Sequence, residues 1–349
     1  MCYECYMTRR TDTMATDLLA DPFGERLQML VRKRLYVLGG RFLFESNSRE
    51  LLRLVDSAYA GLPRHRLSAS APDLTVRLLL RPTNPRRRRA RAEPPPLQML
   101  SGAGYLGGAT DASNFVVVSP SERTALLALS PPLLHFPYHT RYEFIEFTVF
   151  TLAARTQGLV SLHAACVGRG GRGILLMGES GAGKSTVTLQ CLLRGFEILA
   201  EDSVFIAPRK LLATGVANFL HVRSDSLRWL ELPRDAAAIR KSPVIRRRSG
   251  VKKFEMDLRR NGFRLAKSPP QIVATVFLSP QSAGNRPLLR PISKAALLAN
   301  LADTQGYGAS QPQWRDFRHN LSRLGAYELR RGHHPRAAVE ALRSMLAAQ

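Results

Sequence analysis

Residues 178–186 read GESGAGKST, and this stretch decides the fold class of the 349-residue chain. The apolar run GILLM at 173–177 precedes it and predicts a strand, while VTLQCLLRG follows with the apolar spacing of a helix. Gly195 ends that helix, and FEILAED at 196–202 is typical of a second strand. The order strand, glycine loop, helix, strand predicts an α/β fold.

The stretch also predicts a phosphate-binding loop, because it fits the pattern GxxxxGK[ST] between a strand and a helix. Glycines let backbone N–H groups wrap phosphate oxygens, and the helix N-terminus adds a favourable dipole. Lys184 supplies a positive charge for the β and γ phosphates, and the Ser185 hydroxyl is a suitable Mg²⁺ ligand. The residues expected to bind the nucleotide are Gly178, Glu179, Ser180, Gly181, Ala182, Gly183, Lys184, Ser185 and Thr186.

Two acidic residues, Glu201 and Asp202, end the strand at 196–202, which we expect beside the loop strand in a parallel sheet. Ligand-facing residues gather at the carboxyl ends of parallel strands. Either carboxylate is therefore a candidate Mg²⁺ ligand, or a base for an attacking hydroxyl; the alternative is a solvated strand end. His163 lies in the strand LVSLHAACV at 159–167, where a lone histidine is more often structural than catalytic.

The segments LHAACV, GILLMGESGAGKST and LRGFEILAEDSVFI together resemble the catalytic domain of the HPr kinase/phosphorylase family and, more closely, its distant bacterial relatives. The resemblance covers about 50 residues, from 161 to 208. It implies a phosphoenolpyruvate-carboxykinase-like phosphate-loop core in the C-terminal part of the chain. It further implies an ATP-dependent kinase that phosphorylates a serine of a protein or peptide, with Mg²⁺ as cofactor.

The resemblance also implies a role for individual residues. Lys184 matches the family's loop lysine, Ser185 its magnesium-binding serine, and His163 the histidine that precedes the loop. The family's acidic pair is Asp-Asp, so Asp202 corresponds to the base, while Glu201 replaces the first member as a magnesium or supporting carboxylate. The implied catalytic residues are Lys184, Asp202, His163 and Glu201, and the implied metal ligands are Ser185, Glu201 and Asp202.

Two departures from the family pattern argue against phosphorylase activity and against HPr itself as the acceptor. Thr186 stands where the bifunctional enzymes usually have Glu, and residues 209–270 lack their downstream Arg- and Glu-containing signature. The segment RSGVKKFEMD at 248–257 is either a loop whose Lys252 or Lys253 neutralises charge on the phosphates, or a basic solvated loop. Two alternative functions stay open, an ATP-binding regulatory NTPase without an acceptor and a tailoring kinase for a peptide or small molecule.

Length and composition predict a folded protein of roughly two domains, since 45% of the residues are hydrophobic and 22% are charged. We expect a disordered N-terminus at 1–20, a smaller mixed α/β region at 21–135 with an Arg/Pro-rich linker at 82–96, and a kinase domain at 136–349. Further strands are predicted at 35–45, 73–80, 114–118, 203–207, 254–258, 272–278 and 326–330. Further helices are predicted from about 48, at 139–157 with Gly158 as its end, at 293–303, at 312–324 and at 335–347.

The formal net charge of +24 suits a nucleic-acid partner, but only eight of the 51 basic residues are Lys. The densest run, Arg86 to Arg91, is flanked by proline, which favours a solvated loop over a nucleic-acid patch. No apolar stretch is long enough to cross a bilayer and no signal peptide is recognisable, so we expect a cytoplasmic protein without a membrane partner. Four cysteines exclude a disulfide scaffold and predict buried thiols at Cys166 and Cys191. A homo-oligomer stays open: the bifunctional relatives are hexamers, but the sequence shows no interface motif and the resemblance does not extend far enough to imply the same assembly.

Overall fold

A computed structural model of the chain describes residues 30–81, 93–260 and 262–347. The predicted disorder at 1–20, the arginine run and most of the predicted linker lie outside these residues. The described chain forms a mixed α/β fold with one seven-stranded, one nine-stranded and one three-stranded sheet. None of its helices is both long and apolar enough to span a membrane.

The seven-stranded sheet lies in the N-terminal half and has the strand order β1-β2-β3-β7-β6-β5-β4. Strands β2, β3 and β7 are parallel, and the remaining neighbours pair antiparallel. Its strands are β1 (Val31–Val37), β2 (Gly40–Ser46), β3 (Asp73–Leu80), β4 (Gln98–Gly102), β5 (Tyr105–Asp111), β6 (Asn114–Ser119) and β7 (Thr124–Leu129). The predicted strands at 35–45, 73–80 and 114–118 are confirmed.

Two helices bury their apolar faces against this sheet. Helix α1 (Arg49–Tyr59) begins after Ser48, whose side chain accepts a hydrogen bond from the Leu51 N–H. Helix α2 consists of Pro137–His139, a π-helical segment Thr140–Glu146, and Phe147–Gln157. Gly158 ends α2 in the left-handed conformation, with φ of 63°, as the sequence predicted. The π-helical segment carries three residues of the site described below, which is a common use of this geometry.

The nine-stranded sheet contains the phosphate loop, defined as residues 178–186. Its main strand order is β11-β9-β10-β17-β13-β12-β8, and β19 pairs with both β17 and β18. The strands are β8 (Val160–His163), β9 (Ala165–Arg169), β10 (Arg172–Met177), β11 (Glu197–Ala200), β12 (Ser203–Ala207), β13 (Leu212–Gly215), β17 (Gln271–Ser282), β18 (Leu289–Pro291) and β19 (Gly325–Arg331). The phosphate loop joins β10 to helix α3 (Lys184–Leu193), which confirms the predicted strand–loop–helix order.

Two predictions about this sheet are wrong. The strand expected at 159–167 is broken at Ala164 into β8 and β9, which occupy different positions in the sheet. The strand before Glu201 does not lie beside the loop strand, because β9 turns back and pairs antiparallel with both β10 and β11. The tight turn at Gly170 and Gly171, both with positive φ, makes this hairpin possible. Strands β10 and β11 still run in the same direction, so their carboxyl ends meet at one edge.

The small sheet covers the cavity described below and consists of β14 (Phe219–Val222), β16 (Lys252–Asp257) and β15 (Val244–Arg246). The remaining helices are α4 (Pro233–Arg240), α5 (Lys294–Thr304), α6 (Trp314–Leu321) and α7 (Arg336–Ala347). One apolar core lies under the first sheet and two others lie on either side of the second. Cys166 and Cys191 are fully buried, as predicted. The division at residue 135 and the carboxykinase-like core stay predictions.

Candidate active site

The phosphate loop borders a cavity of about 630 Å³. Three of its glycines have positive φ, with 140° at Gly178, 85° at Gly181 and 106° at Gly183. A Cβ on Gly178 would lie 2.9 Å from the Leu278 carbonyl oxygen, whereas the Cβ positions of Gly181 and Gly183 face open space. The backbone of the loop is therefore accessible to a phosphate chain, which only glycine permits in this conformation.

The Lys184 side chain folds back over the loop. Its ammonium donates hydrogen bonds to the carbonyl oxygens of Gly178 at 2.6 Å and Glu179 at 3.3 Å. Burial lowers the pKa of this ammonium, although the charges of Asp202 and Glu201 oppose the shift. Both acceptors are neutral carbonyl groups, so they do not cancel the charge of Lys184.

Glu201 links the loop to the small sheet. The Ser185 hydroxyl donates a hydrogen bond to Glu201 Oε1 at 2.5 Å, and the Nδ1 atom of His221 lies 3.2 Å from Glu201 Oε2. Burial alone would raise the pKa of Glu201, but the hydrogen bond and charge of His221 outweigh burial and lower it. Glu201 is therefore a carboxylate with both oxygens engaged.

A chain of contacts between buried acidic and basic side chains leads from Glu201 away from the loop. We call it the buried relay, and its members are Glu201, His221, Glu255, Arg141 and Glu146. The Nε2 atom of His221 lies 3.1 Å from Glu255 Oε1, and Arg141 donates to both oxygens of Glu255 at 2.5 and 3.2 Å. The Nε of Arg141 lies 3.4 Å from Glu146 Oε1. Although burial lowers the pKa of His221, its two carboxylate neighbours raise it overall, which favours the protonated imidazole. The relay runs from the phosphate loop into helix α2.

Asp202 is the more open of the two acids, since its side chain retains 23% of its accessible surface. Its Oδ1 atom lies 3.1 Å from Nδ1 of His163, and its Oδ2 atom accepts a hydrogen bond from the Tyr142 hydroxyl at 3.1 Å. The guanidinium of Arg247 lies 3.9 Å from Oδ2 and stacks over the Tyr142 ring. Asp202 therefore has two fixed partners and an exposed side toward the cavity.

The free edge of β8 is covered by two glutamine side chains. Gln305 accepts a hydrogen bond from the His163 N–H at 2.8 Å and donates to the His163 carbonyl oxygen at 3.1 Å. Gln311 makes the same pair of contacts with Ser161, at 2.6 and 2.8 Å. Both glutamines are buried. Each amide imitates the hydrogen bonds of a neighbouring strand and so fixes the backbone that carries His163.

The charge of the cavity suits a polyphosphate. Among the residues that the structure describes, seven Lys and Arg side chains line it, against the carboxylates of Glu201, Asp202 and Asp225. Arg331, at the end of β19, reaches the Gly181 carbonyl oxygen at 3.5 Å. Clustered cations of this kind concentrate anions at a site.

The oxygen donors at the loop also fit Mg²⁺. Within residues 30–81, 93–260 and 262–347, no three His, Cys, Asp or Glu side chains are grouped as a complete metal cage. Mg²⁺ does not need such a cage, because proteins usually hold it through one or two carboxylates together with substrate phosphates and water. Ser185, Glu201 and Asp202 supply hard oxygen ligands at one end of the cavity.

No family model matches the chain. Over 64 residues, 18% of this chain, the sequence is 39% identical to the HPr kinase/phosphorylase of Clostridium beijerinckii. The chain is distantly similar to HPr kinases. The matched segment spans 21% of that relative's length. The HPr(Ser) kinase/phosphatase from Coxiella burnetii is a structural match at 13% identity and a TM-score of 0.25, covering 54% of this chain and 88% of that chain.

The four catalytic residues implied by the HPr kinase resemblance, Lys184, Asp202, His163 and Glu201, all line the cavity. Residues 180–186 of the loop line it too, whereas Gly178 and Glu179 lie behind and bind Lys184. Of the two lysines at 252–253, Lys253 lines the cavity. Their roles in binding and catalysis stay predictions.

Sequence reasoning missed several residues that contact the acidic pair or continue the buried relay. They are Tyr142, Arg141, His221, Arg247 and Glu255. They lie on α2 and on the small sheet with its connecting loop. These segments are far from the phosphate loop in sequence, and the five residues do not form a short sequence motif. The one available signal was a charged residue inside an apolar run, as in EFIEF at 143–147 and FEMDL at 254–258.

Proposed function

We propose that the protein is an ATP-dependent kinase that transfers the γ-phosphoryl group to a serine-type hydroxyl of a protein or peptide. The observation that carries this proposal is the position of Asp202 beside the phosphate loop, partly exposed and held by His163 and Tyr142. A phosphate loop alone indicates a nucleotide. A fixed, accessible carboxylate in the same cavity adds a base for an acceptor hydroxyl. The distant similarity to HPr kinases supports the same reaction.

In this mechanism the backbone N–H groups of the phosphate loop bind the β and γ phosphates, and Lys184 lies over them. Ser185, Glu201 and Asp202 would hold Mg²⁺, which when bound offsets the negative charge of the phosphate oxygens. Asp202 accepts the proton of the acceptor hydroxyl as its oxygen bonds to the γ phosphorus. The bond from that phosphorus to the β–γ bridging oxygen breaks, and ADP leaves with the electron pair.

His163 and Tyr142 orient the base. Each contacts a different oxygen of Asp202, which restrains the rotation of the carboxylate, and Asp202 lines the cavity with part of its side chain exposed. Lys184 and Arg247 place positive charge around the group being transferred. Lys253 adds a further charge, and burial lowers the pKa of its ammonium.

The test is transfer from γ-labelled ATP, with Mg²⁺, into proteins and peptides of a host lysate. We expect Lys184→Ala and Asp202→Asn each to reduce labelling at least about 100-fold while the circular dichroism spectrum stays that of the parent. The matched controls Lys294→Ala and Asp316→Asn change the same residue types at exposed positions on α5 and α6, and they should keep the parent rate.

Other outcomes separate the competing functions. ATP hydrolysis without any labelled product would favour the regulatory NTPase, and a labelled small molecule or short peptide would favour the tailoring kinase. Full labelling by both Lys184→Ala and Asp202→Asn would contradict the assignment of the site.

A further inference from the structure

The cavity that contains the phosphate loop also has an aromatic wall that the proposed transfer does not use. We call Trp229, Arg228 and His334 the aromatic wall. The Trp229 indole is half-buried, and the His334 ring meets it edge-on with centroids 5.3 Å apart. The guanidinium of Arg228 lies 4.7 Å from the centroid of the indole. All three residues line the same cavity as Lys184 and Ser185.

The aromatic wall is attached to the phosphate loop through helix α3. The side chain of Gln190 donates a hydrogen bond to the Trp229 carbonyl oxygen at 2.9 Å. The hydroxyls of Thr186 and Ser226 lie 3.0 Å apart, which ties the start of the helix to the turn Ser224–Trp229. Gln190 and Ser226 are both buried. The backbone that carries the indole is therefore held at a fixed position relative to the loop.

We propose that the purine base of the nucleotide stacks on Trp229, with His334 and Arg228 beside it. The proposal rests on the proposed function, since it takes the phosphate loop as the site of the nucleotide's phosphates. An indole is the best stacking surface that a protein offers a base, and a purine covers more of it than a pyrimidine does. Arg228 is exposed, so its guanidinium has room to leave the indole face when the base arrives.

Thr186 gains a role in this arrangement. It lines the cavity, but its hydroxyl contacts Ser226 instead of a residue of the acidic pair. Thr186 therefore positions the turn that carries Arg228 and Trp229, and through it the base. This residue, at one of the positions that depart from the family pattern, connects the phosphate end of the cavity to the proposed base end.

The test uses the two tryptophans of the chain, Trp229 and Trp314. Trp314 is 7% exposed and lies in an apolar core at the start of α6, so Trp314→Phe leaves Trp229 as the reporter of the cavity. In this variant we expect ATP with Mg²⁺ to quench tryptophan emission. Tripolyphosphate with Mg²⁺, which offers the charge without the base, should bind without quenching.

The affinities for ATP and for tripolyphosphate distinguish base stacking on Trp229 from a purely structural role of this residue. We expect Trp229→Ala to raise the Kd for ATP about 5- to 150-fold by calorimetry and to leave the Kd for tripolyphosphate unchanged. Trp229→Phe should recover most of the ATP affinity, and GTP should bind the parent more tightly than CTP.

Each contrary result has a distinct meaning. An equal loss of ATP and tripolyphosphate affinity in Trp229→Ala would show a structural role and overturn base stacking, as would an unchanged ATP affinity. Equal binding of CTP and ATP would overturn the purine preference. In each of these cases tripolyphosphate still binds the parent and the proposed function stands. If the parent binds neither ATP nor tripolyphosphate, the proposed function fails and the base site fails with it.

Discussion

Glu201 illustrates how one side chain serves two partners. Its carboxylate spans the distance from the Ser185 hydroxyl on one side to the His221 imidazole on the other. The family that the sequence resembles has Asp at this position, and an aspartate is one methylene shorter. The longer glutamate reaches both the Ser185 hydroxyl and the buried His221 imidazole.

We expect Glu201→Asp to break one of these two contacts. Loss of a charged hydrogen bond inside the protein should lower the free energy of unfolding by about 1–3 kcal/mol, measured by urea denaturation. It should also raise the Mg²⁺ concentration that gives half-maximal transfer. Glu231→Asp makes the same change at an exposed ion pair and should alter neither quantity. If Glu201→Asp had the same free energy of unfolding and the same Mg²⁺ requirement as the parent, the length of the Glu201 side chain would be unimportant.

The glutamine contacts on β8 give a prediction at the scale of an element. Gln305→Ala removes the two hydrogen bonds to the backbone of His163, and Gln311→Ala removes the equivalent pair from Ser161. Both variants remove hydrogen bonds from part-buried backbone groups, so we expect each to lose about 1 kcal/mol of stability by urea denaturation.

The two glutamine variants should differ in activity. Only Gln305→Ala frees His163, which we propose orients Asp202, so it should lower kcat for phosphoryl transfer several-fold more than Gln311→Ala does, with little change in the KM for ATP. An equal decrease in kcat in Gln305→Ala and Gln311→Ala would indicate that the glutamines stabilise β8 without positioning His163.

The elements that could be predicted are those with a local signal in the sequence, such as apolar spacing or a glycine at a turn. The phosphate loop, α3 and the strands at 73–80 and 272–278 follow from apolar spacing and from glycines that end or turn the chain. The break at Ala164 and the insertion of β9 between β10 and β11 could not be predicted, because pairing partners are set by long-range packing. The same limit applies to the site, since Tyr142 reaches Asp202 from 60 positions away in sequence.

At the scale of the whole molecule, the two large sheets are joined by buried polar contacts as well as by apolar packing. His65, which follows α1, lies 2.9 Å from the Thr214 hydroxyl through Nδ1 and 2.8 Å from the Ala266 carbonyl oxygen through Nε2. Asn218 donates to the Ala58 carbonyl oxygen at 3.1 Å and to Glu146 at 3.2 Å. The halves of the chain therefore share one folded structure.

His65 predicts a pH dependence of stability. Burial lowers its pKa, against the opposing effect of its bond to Ala266. Between the ordinary histidine pKa of about 6.5 and the lower folded-state value, only the unfolded chain binds the proton. Stability from this group is therefore complete above about pH 6.5 and is lost as the pH falls.

The measurement is the free energy of urea unfolding at pH 7.5 and pH 5.5. We expect the parent to lose more stability over this interval than His65→Gln does, by at most about 1.4 kcal/mol per pH unit. His135→Gln, at an exposed site, should keep the slope of the parent. The same pH slope in His65→Gln and the parent would contradict the prediction.

The buried relay has a consequence for how this sequence can change over time. Its three middle members, His221, Glu255 and Arg141, are each buried between two groups of the opposite charge type, so replacing one alone leaves buried partners without their counter-charge, which costs about 3–5 kcal/mol. A lineage can therefore lose Arg141 only once both Glu255 and Glu146 have been neutralised, and it can adopt an apolar residue at His221 only once Glu201 and Glu255 have been neutralised. Homologues that conserve the phosphate loop should show paired substitutions along this line, with α2 and β16 covarying across more than a hundred positions of sequence.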